Sequence, residues 1–273
     1  MDCRIVDYEG SRSGFSMAVS RVMRLFLTVL VIGLVALGYS ARHSGIVAHL
    51  ERVNDYLAQG NEAGARAEIR SFIRSHVSEP EVYQHAIRCY VRCGLYEDAI
   101  RVGELLLDRQ ISGKLRRSLH PHELAELYFA LSWSYKETGN ITRAEQMGRN
   151  ALAIVPDSPE LLNGLGYLYA DEGFKLHEAL KLTERAVALA PDNAAIIDSF
   201  GWAQYKLGQY EKAASTLERA VAMAPDQAEL RYHLGAALVK LGYKFQARIE
   251  LTKALLLDPT LLQARQILRT VKN

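Results

Sequence analysis

Between Glu123 and Pro259 small and apolar residues return with a period close to 34. The turn glycines Gly139, Gly173, Gly208 and Gly242 are spaced by 34, 35 and 34 residues. Each is followed by two alanines seven apart: Ala144 and Ala151, Ala179 and Ala186, Ala213 and Ala220, Ala247 and Ala254. Each unit closes on a proline, at Pro156, Pro191, Pro225 and Pro259. No interval alternates apolar and polar residues as a strand would, so the repeat is helical. One unit predicts helices over Ala194 to Leu207 and Tyr210 to Ala224, with Gly208 as the turn. Gly201, Ala213 and Ala220 are small where the two helices must cross closely. Asp157, Asp192 and Asp226, each just after a proline, are placed to cap the next helix. A lone hairpin cannot bury its own apolar face, so neighbouring hairpins must stack to make a core.

These marks resemble the tetratricopeptide repeat (TPR) family. The family's order of aromatic, Leu-Gly, Tyr, two alanines and proline stands here as Tyr232, Leu234-Gly235, Leu238, Ala247, Ala254 and Pro259. One unit earlier it is Phe200-Gly201, Tyr210, Ala213, Leu217, Ala220 and Pro225. The departures are Ile197 in place of a tryptophan, Gln204 in place of a tyrosine, and Trp202 one position after the glycine. The resemblance implies an all-α, right-handed α-α superhelix of about six helical hairpins with a capping helix. The stretch 162–226 is also similar to bacterial membrane-associated cell-envelope TPR scaffold proteins.

The same period divides the rest of the chain. Gly60 and Gly94 are 34 apart, as are Ala65 and Ala99, giving two degenerate hairpins over 46–111. An insertion at 112–122 carries Lys114, Arg116 and Arg117. It reads either as a loop for an acidic partner or anionic lipid, or as a solvated turn. Four repeats fill 123–259, and Leu261, Leu262, Ile267, Leu268 and Val271 give 260–273 the inward face of a capping helix.

Ahead of the repeats, 1–20 reads as a disordered polar tail. Leu25 to Tyr39 is free of charge, and Val22 to Ala41 holds only Arg24. As a helix, the longer run is about 30 Å long, enough to cross a bilayer. Residues 21–41 are therefore expected to be a transmembrane anchor, or a signal peptide ending at the small residues of Gly38-Tyr39-Ser40. Arg12, Arg21 and Arg24 before the run argue for a single-pass inner-membrane protein with its repeats in the periplasm or outside. Cleavage would make it periplasmic or secreted.

Charge and chemistry narrow the function. From Arg42 onward there are 29 basic and 28 acidic residues, with no basic stripe, so nucleic acid is not expected as a partner. No nucleophile elbow, phosphate loop or HExxH occurs, and no enzyme, cofactor or metal is expected. His85, Cys89 and Cys93 share one helix stripe, which is read as packing rather than as a metal or redox site. What remains is surface. TPR arrays line their concave face with the first helix of each hairpin. The phase puts Phe129, Trp133 and Lys136 there, then Asn163, Tyr167 and Asp171, then Asp198, Trp202, Tyr205 and Lys206, then Tyr232, Ala236 and Lys240. Aromatics beside amides and single charges suit an extended peptide or a helix, although the large rings could equally pack between neighbouring helices. The lysines do not reproduce the family's carboxylate clamp. The expected function is a non-enzymatic scaffold, tethered to a membrane by its N-terminal helix and binding a protein or peptide partner of the membrane or envelope. The alternatives are a self-associating structural protein that stacks into homo-oligomers, which a long apolar patch on the last helix would favour, and a secreted adaptor.

Overall fold

The computed structural model describes residues 48–271, apart from 50, 54, 57, 58 and 77. Among them the only regular elements are helices. They are α1 Glu62–Ser75, α2 Pro80–Arg92, α3 Tyr96–Ile111, α4 Pro121–Glu137, α5 Ile141–Ile154, α6 Pro159–Asp171, α7 Leu176–Leu189, α8 Ala194–Lys206, α9 Tyr210–Met223, α10 Ala228–Lys240, α11 Lys244–Leu257 and α12 Leu262–Thr270. Helical residues before α1 pack onto it: Val53 is fully buried, and the His49 ring stacks on Phe72 at 4.1 Å. The remaining helices pair as α2–α3, α4–α5, α6–α7, α8–α9 and α10–α11, with α12 closing the last.

The stacking order follows from which helices touch. Successive first helices of the hairpins (α2, α4, α6, α8, α10, α12) contact one another, whereas successive second helices do not. First helices therefore form the crowded inner wall and second helices splay outward, which curves the array. The result is an all-α solenoid whose core is a strip of Ala, Leu and Tyr between layers, with Tyr83, Tyr90 and Tyr169 almost wholly buried.

Glycine acts in two ways here. At Gly208 the chain takes φ +78°, and Gln209 N donates back to Gln204 O at 3.0 Å, so the left-handed residue ends α8 and aims the chain into α9. At Gly166 an added Cβ would lie 2.7 Å from Thr183 Cγ2 and 3.2 Å from the Ala179 carbonyl oxygen, so α6 and α7 cross at backbone distance. Gly166→Val is expected to lower stability by about 2–3 kcal/mol, read by urea denaturation. A change within about 0.5 kcal/mol would show that the crossing relaxes without cost.

Three sequence expectations change. The aspartates after proline are not the caps. Ser158 Oγ accepts from Leu161 N and Asn193 Oδ1 from Ala195 N, while Asp157 pairs with Arg185. The basic insertion is not a free surface either. Arg116 bonds Glu79 at 2.8 Å, and Arg117 reaches both Glu81 and Glu123 at 2.7 Å, tying the loop to α2 and α4. The Arg117 guanidinium holds the Glu123 carboxyl down to about 2. Two of its three cations are thus spent within the fold, leaving Lys114.

The third correction concerns the membrane. No helix among the described residues is long and apolar enough to cross a bilayer. The longest, α4, has 17 residues and carries Glu123, Glu126, Lys136 and Glu137. A charge-bearing helix of about 26 Å does not span about 30 Å of hydrocarbon. The anchor expected at 21–41, like the tail at 1–20, lies outside the described residues. The transmembrane helix in the fold, the membrane as partner and the single-pass inner-membrane location are therefore withdrawn.

Candidate protein-binding groove

Four first helices, α4, α6, α8 and α10, carry the candidate residues on the inner wall. Because equivalent positions recur about 34 residues apart, side chains from successive helices meet there in a continuous row. The first group centres on Lys136. Its Nζ lies 5.3 Å from the Trp133 ring centroid and 5.6 Å from that of Tyr167, and it pairs with Asp171 at 2.9 Å and Glu137 at 3.4 Å. Burial alone would depress the Lys136 ammonium, but the Asp171 and Glu137 carboxylates outweigh it and its pKa is raised. The same burial raises Glu137. Tyr167 donates its hydroxyl to Glu229 Oε1 at 3.0 Å, linking α6 to the start of α10 across one repeat. Burial first, then the nearby Glu229, Asp171 and Asp198 carboxylates, raise its phenol well above the ordinary value.

The second group centres on Trp202. Its ring stacks on Tyr205 at 4.7 Å with 6° between planes and on His233 at 4.1 Å with 18°, and it meets Tyr232 at 5.8 Å. Lys206 Nζ sits 5.1 Å from the same ring and donates to the Asp171 carbonyl oxygen at 2.8 Å. Behind the stack, His233 Nδ1 lies 2.8 Å from Asp198 Oδ2, both side chains being buried. Burial disfavours a charged imidazole there, yet the Asp198 carboxylate prevails and the His233 pKa is raised.

The candidates therefore separate by depth. Trp202 is 5 % exposed, Asp198 4 % and Ala236 1 %, so these three form the wall. Phe129, Trp133, Lys136, Asn163, Tyr167, Tyr205 and Tyr232 are half-buried, and Lys240 is exposed. Phe129 occupies the space over Gly164, where a Cβ would meet its ring at 2.2 Å. Sequence reading missed Glu137, Glu229 and His233. The spacing held a clue to the last, since His233 lies 35 residues after Asp198, one repeat on. Away from the groove, Cys89 Sγ lies 3.4 Å from His85 Nε2. Burial pushes the thiol up to about 11 and the imidazole down to about 3, so the pair packs in neutral form.

Comparison with known proteins agrees with this architecture. A profile of the TPR repeat matches residues 201–242. The TPR repeat-containing protein PA4667 of Pseudomonas aeruginosa is 35 % identical over 94 residues, which cover 34 % of this chain and 16 % of that protein. Among solved structures, the APC/C hetero-tetramer Cut9-Hcn1 superposes with a TM-score of 0.65 at 18 % identity. That match covers 94 % of this chain but 47 % of the other, so this chain spans less than half the length of the protein it superposes on. MamA from Desulfovibrio magneticus RS-1 superposes with a TM-score of 0.51 at 21 % identity, covering 67 % of this chain and 96 % of that one. At these identities the solved structures speak for the fold alone. The matched sequence and the fold are those of repeat proteins. The repeat profile, the sequence shared with PA4667 and the stacked hairpins make this chain a TPR-repeat protein related to bacterial TPR proteins.

Proposed function

We propose that this chain is a protein–protein interaction module that receives an extended peptide or a helix of a partner on its concave face. The observation that supports the reading is a row of half-buried rings at concave repeat positions, Trp133, Tyr167, Tyr205 and Tyr232, beside the wall that Asp198 and Trp202 form. Such rings give flat contact area, the half-buried Asn163 side chain offers a peptide backbone a hydrogen bond, and Lys240 adds an exposed charge. No membrane tether or envelope location belongs to this reading; its scope is a scaffold of the bacterial TPR kind.

The test is site-specific photo-crosslinking in the host cell. A crosslinking amino acid in place of Lys240, on the inner wall, is expected to give a discrete adduct. The same amino acid in place of Lys181, exposed on α7, is expected to give none. Asn163→Leu should reduce the Lys240 adduct about tenfold, the cost of one lost hydrogen bond. Identical adducts from both positions, or none from position 240, would sink the reading. A second reading, self-association, is favoured by an observation on the opposite face.

A further inference from the structure

The outer faces of the second helices should be interchangeable, and one is not. On α5 the outward positions include Gln146 and Arg149, and on α7 Lys181 and Glu184, all exposed. On α9 they are Glu211, Ser215, Glu218 and Ala222. The equivalent positions on α11 are Phe245, Ile249, Thr252 and Leu256, spaced i, i+4, i+7, i+11 and opposite the buried Ala247, Leu251 and Ala254. Phe245 is 65 % exposed, Ile249 37 % and Leu256 77 %. Single exposed apolar residues need no explanation, but three large ones in register on a helix whose counterparts are polar residues or alanine mark a contact surface.

Between α9 and α11 runs a groove of about 690 Å³, floored by Leu234 and Leu238 of α10. Its two sides differ in charge. The α9 side presents Glu211 and Glu218, and no ion pair reaches either among the described residues. Along α11, Lys244 and Arg248 flank the apolar stripe, with Arg248 5.7 Å from the Phe245 ring centroid, while on the groove side Lys253 pairs with Glu250 at 2.9 Å. An acidic strip thus lies parallel to a basic, apolar one on a single face.

We propose that this face binds a second copy of the chain, with the two-fold axis running along the groove. α9 and α11 are separated by one antiparallel helix and so point the same way. Rotation about an axis parallel to them lays each α11 on the α9 of the other copy and leaves heights along the helices unchanged. The 34-residue repeat puts Glu211 level with Phe245 and Glu218 level with Thr252. Lys244 and Arg248 of one copy then meet Glu211 of the other, and Phe245 and Leu256 are covered over the groove. Such an interface is satisfied by the same patch twice, as a two-fold contact requires. The other in-plane axis, perpendicular to the helices, would set α9 on α9 and oppose like carboxylates. The surface is separate from the concave groove, and its test is independent of the function proposed there.

Sedimentation equilibrium of the full chain is the experiment, with circular dichroism confirming that each variant folds. Wild type is expected to dimerise below about 100 μM. Glu211→Lys, and separately the double variant Lys244→Glu, Arg248→Glu, should each weaken self-association at least about tenfold. Mixed in equal amounts, the two variants should form a heterodimer, because every reversed charge then faces its opposite. A monomeric wild type would overturn the proposal and leave the stripe to another protein. Dimers that survive both reversals, as association through the apolar run at 25–39 would, or variants that fail to pair on mixing, overturn it as well.

Discussion

Trp202→Ala is expected to lower stability by about 3–5 kcal/mol, the cost of removing a large buried ring and leaving its cavity. The ring is 5 % exposed and stacks against Tyr205 and His233, with Tyr232 and Lys206 completing its surroundings. Its neighbours come from both α8 and α10, so the loss falls on the junction between two repeats. In a solenoid, stability is close to a sum of repeat and junction terms, so the damage should stay local. Hydrogen exchange should accelerate in α8 to α11 and change little in α2 and α3. Trp202→Phe should recover most of the loss. A Trp202→Ala variant within about 1 kcal/mol of wild type would refute the wall role and return the residue to the exposed docking surface that its sequence position suggests.

The second large effect lies beneath that ring. Asp198→Ala is expected to cost about 3–5 kcal/mol, because it leaves the His233 imidazole buried without its carboxylate. The pair should also make stability depend on pH in a set direction. The folded-state pKa of His233 is raised from 6.5, so the protonated imidazole favours the folded chain. That contribution is complete below the unfolded value and fades as pH rises through the folded one. Compared by denaturation at about pH 5.5 and about pH 9, wild type and Asp198→Asn should differ more at the lower pH. A difference that is flat, or larger at high pH, would mean that His233 is neutral when folded.

Much of the fold was legible because repetition multiplies weak signals. A single glycine such as Gly208 says little; four at intervals of 34 to 35 fix the turns, and the paired alanines fix where helices cross. The legible site was shallower. Phase alone put Trp202, Asp198 and Lys240 on one wall, but it assigns a direction and not a depth. Whether a ring points into a groove or fills it depends on how closely the next helix approaches, and Tyr232 and His233 of α10 close over Trp202. Chain neighbours misled in the same way at the caps. Asp157 looks placed for the α6 amides, but Ser158 takes them and Asp157 turns to Arg185. Arg116 and Arg117 look like a basic loop until Glu79, Glu81 and Glu123 are brought to them from more distant parts of the chain.

By itself, then, the sequence determined the helical class, the period, the turns and the stacking, because these follow from local backbone preferences and side-chain size repeated in register. The tertiary structure alone decided which members of the aromatic row are wall and which are surface, which charges are spent on internal pairs, and which outer helix breaks the polar pattern of its counterparts. Those outcomes depend on distances between residues far apart in the chain, and spacing along a sequence carries them only where one repeat meets the next.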